Sequence, residues 1–255
     1  MNLRYLRALA AAVAVALAAA ACGGGNPPAP AQAPADATRV DPATAGAVTG
    51  KVSYDGPAPQ NPTAKLDSDP ACAREHPNGL VLDTILVSHG GLENVFVYVK
   101  DGLGNYYFDT PAETVALDQK GCRYTPRVFG LRTGQPVEIS NSDPTMHTVH
   151  AQAKSNQEFN LSQPIQGIKN TKTFTAPEIM VHFKCNVHTW MDAYAGVLSH
   201  PYFAVTGSGG TFEIKNLPPG SYTVEAWHEK LGTLTQTVTI GDKETKTVDF
   251  QFAAR

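Results

Sequence analysis

One imidazole, His147, stands far upstream of a tight run, Cys185-Asn186-Val187-His188-Thr189-Trp190-Met191. Two His nitrogens, a Cys sulfur and a weak Met sulfur form the donor set of a mononuclear copper centre that moves single electrons. A hydrolytic zinc site would more usually offer His and carboxylate ligands with a position open to water. For those donors to meet, the chain between them must fold back on itself, which sets a long-range condition on any fold this sequence adopts. A one-electron carrier also needs nearly one geometry in both oxidation states. A β-sandwich meets that need when one ligand sits on a core strand and the rest on a single loop.

The local pattern has this layout. Val137, Ile139 and Asn141 alternate toward one face before the strand breaks at Ser142-Asp143-Pro144. His147 follows, with Val149 on the same face. Ile179, Val181, Phe183 and Cys185 alternate on one face of a later strand and carry the sulfur to the dry inner end of the sandwich. Met180, His182 and Lys184 point the other way, so parity argues against His182 as a ligand, and likewise against His150, which opposes His147.

Strand signals recur over the rest of the chain. Val48 to Tyr54 and Val95 to Val99 alternate, and Gly210 to Trp227 reads as two strands joined by Leu217-Pro218-Pro219-Gly220. Residues 233–240 and 245–252 add two more. Val, Thr, Tyr, Phe and Gly recur with little helical periodicity, so the fold class is all-β. The net charge of -3, with 17% charged residues and no basic stripe, excludes a nucleic-acid partner.

The N-terminal end belongs to export. Arg4 and Arg7 precede the apolar run Ala8 to Ala21, and Ala19-Ala20-Ala21-Cys22-Gly23 closes it, so residues 1–21 read as a signal peptide. Residues 22–45, rich in Ala, Pro and Gly, cannot bury a core and read as a tether reaching ~3 Å per residue. Export places the remaining cysteines in an oxidising compartment, where an even remainder pairs, so a Cys72–Cys122 disulfide is expected, two buried thiols being the alternative. Residues 60–92 read as a surface excursion, with Cys72 a candidate pin and His76 and His89 unplaced.

Three resemblances sharpen this. Ala19-Ala20-Ala21-Cys22 resembles a bacterial lipobox, with Ala19 where Leu is favoured. It implies acylation of Cys22 and a lipid anchor facing the periplasm or cell exterior; ordinary cleavage would leave Cys22 free. The string from Gly210 to Val224 (G-x-F-x-I-x-x-L-P-P-G-x-Y-x-V) resembles the transthyretin-like, carboxypeptidase-regulatory-like family. It implies a small Ig-like sandwich that is usually non-catalytic and supports or docks a neighbour. Asn141 to His150, Thr173 to Pro177 and C-x-x-H-x-x-M together resemble the plastocyanin/azurin family of cupredoxins, in its short-loop, amicyanin-type form. That implies a Greek-key sandwich with copper held by His147, Cys185 and His188 as strong ligands and Met191 as the long axial one. Thr148 departs from the family, which often has Asn there to tie the two ligand segments together.

The expected organisation is then a signal at 1–21, a lipidated tether at 22–45, an N-terminal β segment at 46–112, a cupredoxin domain at 113–200 and a transthyretin-like sandwich at 201–255. The copper domain is either inserted in the second sandwich or consecutive with it. Trp190 reads as packing across the loop base or, with Met146 and Pro144, as an apolar patch around an exposed edge of His188. His200 and His228 have no ligand company and read as structural. The function expected is that of a non-enzymatic carrier serving redox proteins such as a c-type cytochrome or a dehydrogenase. Copper storage or delivery, and an adhesion or docking module with structural copper, are the alternatives. A nitrite reductase would need a second copper site, for which no spacing is present.

Overall fold

The computed structural model describes residues 33, 36–67 and 69–254. The expected signal at 1–21, Cys22 and most of the expected tether lie outside the described residues. Strands dominate, arranged as two sandwiches, the second covered at one end by a small cap.

The first sandwich is built from both ends of the chain. Its central strand, Gly46–Asp55, pairs antiparallel with Thr211–Leu217 and parallel with Thr245–Thr247 and Phe250–Ala253. The facing sheet runs Phe203–Val205, Phe96–Asp101, Gly220–His228, Gly232–Ile240. Inward positions of both sheets, among them Val48, Val52, Val97, Ile214, Val224 and Phe250, form one continuous apolar core. The Pro-Pro-Gly turn is closed by the Tyr222 hydroxyl, which donates to the Pro218 carbonyl at 2.6 Å. The body begins before residue 45: Thr38 bridges to Tyr106, and Arg39 pairs with Asp109, so the last residues of the expected tether lie against the sandwich.

Between those two halves the chain forms the second sandwich. One sheet has the order Lys169–Thr173, Pro136–Asn141, Val115–Gln119, Tyr124–Thr125. The other runs Phe159–Gln163, His147–Gln152, Glu178–Lys184, Asp192–Leu198, Val128–Arg132. The chain crosses from sheet to sheet after Thr125, Arg132, Asn141, Gln163 and Thr173, enclosing Leu117, Phe129, Ile139, Val149, Phe183 and Val197. Its insertion follows from the pairing, since the strands of 46–101 and 203–253 complete each other's sheets.

Alternation along Glu178–Lys184 holds only from Val181 onward. Met180 has φ 60, the register shifts between Glu178 and Val181, and Ile179 is exposed rather than buried with Val181 and Phe183. A bulge adds a residue to one strand and reverses the parity upstream of it. Val181, Phe183 and Cys185 remain on the core face.

Residues 57–86 fold over one end of the second sandwich. The helix Pro70–Glu75 has Asp69 as N-cap, which accepts from the Ala71 and Cys72 N–H groups, and Pro70 occupies its first turn. Strands Thr63–Ala64 and Leu80–Val81 flank it. Cys72 and Cys122 are joined in a disulfide, and with Leu66, Leu80 and the edge of Trp190 they form a small core. His76, unplaced by the sequence, sets its Nε2 2.9 Å from the Gly121 carbonyl. His200 and His228 lie within the body, where burial pushes both imidazoles down to about 4.

Candidate metal centre

His147 opens the strand His147–Gln152, and Cys185 follows the strand Glu178–Lys184 that pairs with it. This pairing brings two sequence-distant donors to one end of the sheet. The loop from Cys185 is closed by two backbone bonds, Met191 N–H to the His188 carbonyl at 2.9 Å and Cys185 N–H to the Met191 carbonyl at 3.2 Å. His147, Cys185, His188 and Met191 are all buried, with exposures of 0, 1, 0 and 1%.

The donor atoms converge. His147 Nδ1 and His188 Nδ1 are 2.9 Å apart, and Cys185 Sγ is 3.8 Å from His188 Nδ1. One ligand atom from each of the three residues lies within 4.8 Å of the other two. An ion at about 2.0–2.1 Å from nitrogen and about 2.3 Å from sulfur, with angles of about 90–120°, needs N–N edges of about 2.9–3.6 Å and N–S edges of about 3.1–3.8 Å. The two edges just given fall in those ranges and the third pair lies within 4.8 Å, so the three donors can converge on a single shared metal. Met191 shares the apolar cluster of Cys185 and lies within its closed loop.

The surrounding bonds orient the donors. His147 Nε2 is 2.9 Å from Asp143 Oδ2, and His188 Nε2 is 2.8 Å from Asp69 Oδ2. Cys185 Sγ accepts from the N–H groups of His188 at 3.3 Å and Thr148 at 3.4 Å. The Thr148 hydroxyl lies 3.7 Å from the same sulfur and accepts the Asn186 N–H at 2.7 Å, so it bridges the two ligand segments. Burial pushes the Cys185 thiol up, but the two imidazoles and these N–H donors outweigh it and bring it down to about 5. Burial pushes His147 down, and Asp143 and the Cys185 sulfur raise it to about 9. Asp143 and Asp69 are both held below their usual range: burial acts against this, and the hydrogen bonds each accepts overcome it. The centre therefore favours a thiolate and ionised carboxylates.

His150 and His182 are turned away, paired with Glu158 and Asp192. Trp190 lies 5.0 Å from the His188 ring, centroid to centroid, and donates its indole N–H to the Cys122 carbonyl at 3.0 Å. The patch expected around an exposed edge of His188 does not form. His188 is completely buried, because Asp69 and the cap occupy the side where that edge would meet solvent. Pro144 and Met146 are exposed beside the cap, while the half-buried Trp190 borders a separate cleft of about 530 Å³ with Pro62, Leu82, Arg127 and Lys230. Asp69 and Asp143 carried no signal as partners of the ligands; Asp69-Pro70 could have been read as a helix start, but not as a lid over His188.

Fold and centre together define an all-β protein of two sandwiches, one of which carries a closed His-Cys-His cluster beneath a disulfide-linked cap. Residues 196–253 match the family model of the carboxypeptidase regulatory-like domain. Among solved structures, a copper-containing nitrite reductase (NirK) from Thermus scotoductus SA-01 is similar at 20% identity and a TM-score of 0.33, over 36% of this chain and 24% of its own. A Cu(I) form of an amicyanin mutant matches at 21% identity and 0.30, over 34% of this chain and 85% of its own. A purple cupredoxin from Nitrosopumilus maritimus matches at 16% and 0.29, over 32% and 98%. The chain thus spans about a quarter of the nitrite reductase and most of the two small cupredoxins. No curated protein matches it by sequence. The part of the chain that carries the family match is the C-terminal half of the first sandwich.

Proposed function

We propose that this chain is a type 1 copper protein that carries single electrons at a bacterial cell surface or in the periplasm. The observation that carries the reading is the convergence of two Nδ1 atoms and one sulfur, already oriented, in a pocket without solvent access. His147, Cys185 and His188 would hold one copper ion, with Met191 as the weaker axial donor; bound copper supplies a one-electron couple. The residues around it do the rest. Hydrogen bonds to Cys185 Sγ withdraw charge from the thiolate and tune the potential. The cap and the Phe-rich core exclude water, and both imidazoles are held by carboxylates, so little rearrangement is needed between oxidation states.

Export with acylation at Cys22 would tether the body to a membrane, and the electron partners would be proteins such as a c-type cytochrome or a dehydrogenase. The sandwich that embraces the copper domain serves as its support. Delivery of copper to other proteins would need an accessible ligand edge, and the closed cap disfavours that reading. A copper-loaded sample should show an intense charge-transfer band near ~600 nm from the thiolate, lost in Cys185→Ser. Fully loaded protein without that band would reject the carrier assignment.

A further inference from the structure

Both ligand imidazoles present Nδ1 to the cluster and Nε2 to a carboxylate, and the two carboxylates come from unrelated parts of the chain. Asp143 lies in the turn just before His147. Its Oδ1 accepts the Gly121 N–H at 2.7 Å, and its Oδ2 accepts the Cys122 N–H at 2.8 Å beside the His147 contact. Asp69 comes from the cap, 119 residues from His188. Its Oδ1 accepts from Ala71 and Cys72, and its Oδ2 accepts the Thr145 hydroxyl at 2.7 Å beside the His188 contact. Every carboxylate oxygen is thus fixed by at least one further donor, and neither side chain can swing away without breaking bonds. The disulfide then joins the two assemblies, since Cys72 donates to Asp69 and Cys122 donates to Asp143.

We propose that Asp69 and Asp143 are positioning residues for the metal centre, each placing the proton of one ligand imidazole on Nε2 and thereby turning the Nδ1 lone pair toward the ion. The disulfide makes the pair one unit. The carboxylates also raise the donor strength of the imidazoles, an effect typical of groups one shell removed from a metal. Stronger nitrogen donors favour the higher oxidation state. The redox consequence rests on the copper reading above, whereas the proton placement does not.

Asp69→Asn separates positioning from helix capping. Asn caps a helix about as well as Asp. With its single oxygen committed to the Ala71 and Cys72 N–H groups, however, its amide NH₂ would face the N–H of His188, donor against donor. Asp143→Ala removes the other contact. The measurement is ¹⁵N NMR of the zinc-loaded protein, which is diamagnetic and independent of electron transfer. The wild type should show two slowly exchanging imidazole Nε2–H signals. Asp69→Asn should lose that of His188 alone, Asp143→Ala that of His147 alone, each with a 10–100-fold weaker hold on the metal. In copper-loaded Asp69→Asn, a tenfold loss of preference for Cu(II) appears as a 59 mV rise in potential. Rapid solvent exchange of both signals in the wild type would overturn the proposal, as would variants that keep both signals and their zinc affinity. A wild type that lacks the charge-transfer band but gives the expected zinc spectra would remove the carrier reading and leave the positioning roles standing.

Discussion

Thr148 shows how one side chain can take on the work of a different one. The residue after His147 stands where a side chain can tie the strand His147–Gln152 to the loop that follows Cys185. Here a hydroxyl accepts the Asn186 N–H at 2.7 Å and lies 3.7 Å from the Cys185 sulfur, while the Thr148 backbone N–H also donates to that sulfur. A hydroxyl offers one donor and two lone pairs, so it can serve both segments at once. Thr148→Val keeps the shape and the backbone bond and removes both side-chain bonds. The expected cost is about 1–2 kcal/mol, on the order of 1 kcal/mol per lost hydrogen bond. It should appear as a lower denaturant midpoint with an unchanged slope. The sulfur, with one donor fewer, should favour Cu(II) and lower the potential. An unchanged midpoint together with an unchanged potential would show that the hydroxyl ties nothing together.

At the scale of elements, legibility followed length. The strands His147–Gln152 and Glu178–Lys184 are six and seven residues long, enough for their faces to be read, and the exception at Ile179 arises from a bulge that no local pattern reveals. The cap consists of two-residue strands and a six-residue helix, too short for any period to emerge from Pro, Asp and Gly. Its role depends on a contact between Asp69 and His188, far apart in the chain, and nothing near either residue announces it. Only Cys72 was legible, as one of two cysteines left without another task. The disulfide closes a separation of 50 residues, so replacing both cysteines with serine should cost up to about 4 kcal/mol by loop entropy. That loss should fall on the cap first. Amide exchange at Ala73 and His76 is expected to speed up while exchange across Gly220–Ile240 holds, and copper should pass faster to a chelator as His188 is uncovered. Equal chelator rates in the two proteins would mean that the cap does not guard the metal.

At the scale of the whole molecule, the two sandwiches meet through a surface that no local pattern locates. Phe96, Tyr98, Val128 and Leu198 are buried there, with Phe203, Tyr194 and Trp227 packed against them, and Arg127 pairs with the buried Glu229. The decisive residues are two glycines. Gly196 and Gly130 face each other across the parallel pair Asp192–Leu198 and Val128–Arg132, which leaves a smooth trough in the sheet. The stacked rings of Phe96 and Phe203, 5.5 Å apart, rest on it from the other sandwich. A Cβ on Gly196 would lie 2.3 Å from a Phe96 ring atom, and one on Gly130 would lie 2.2 Å from a Phe203 ring atom. Read alone, each glycine is simply a weak strand residue; its purpose exists only once a distant aromatic arrives. Gly196→Ala must push the Phe96 ring off its seat, and overpacking of this kind costs about 1–3 kcal/mol. If the junction binds the sandwiches into one cooperative unit, calorimetry of the wild type shows a single transition and Gly196→Ala splits it in two. The copper band should survive at room temperature, because the ligand loop ends at Met191, before the altered position. A single transition at an unshifted temperature in the variant would show that the sandwiches are held together elsewhere.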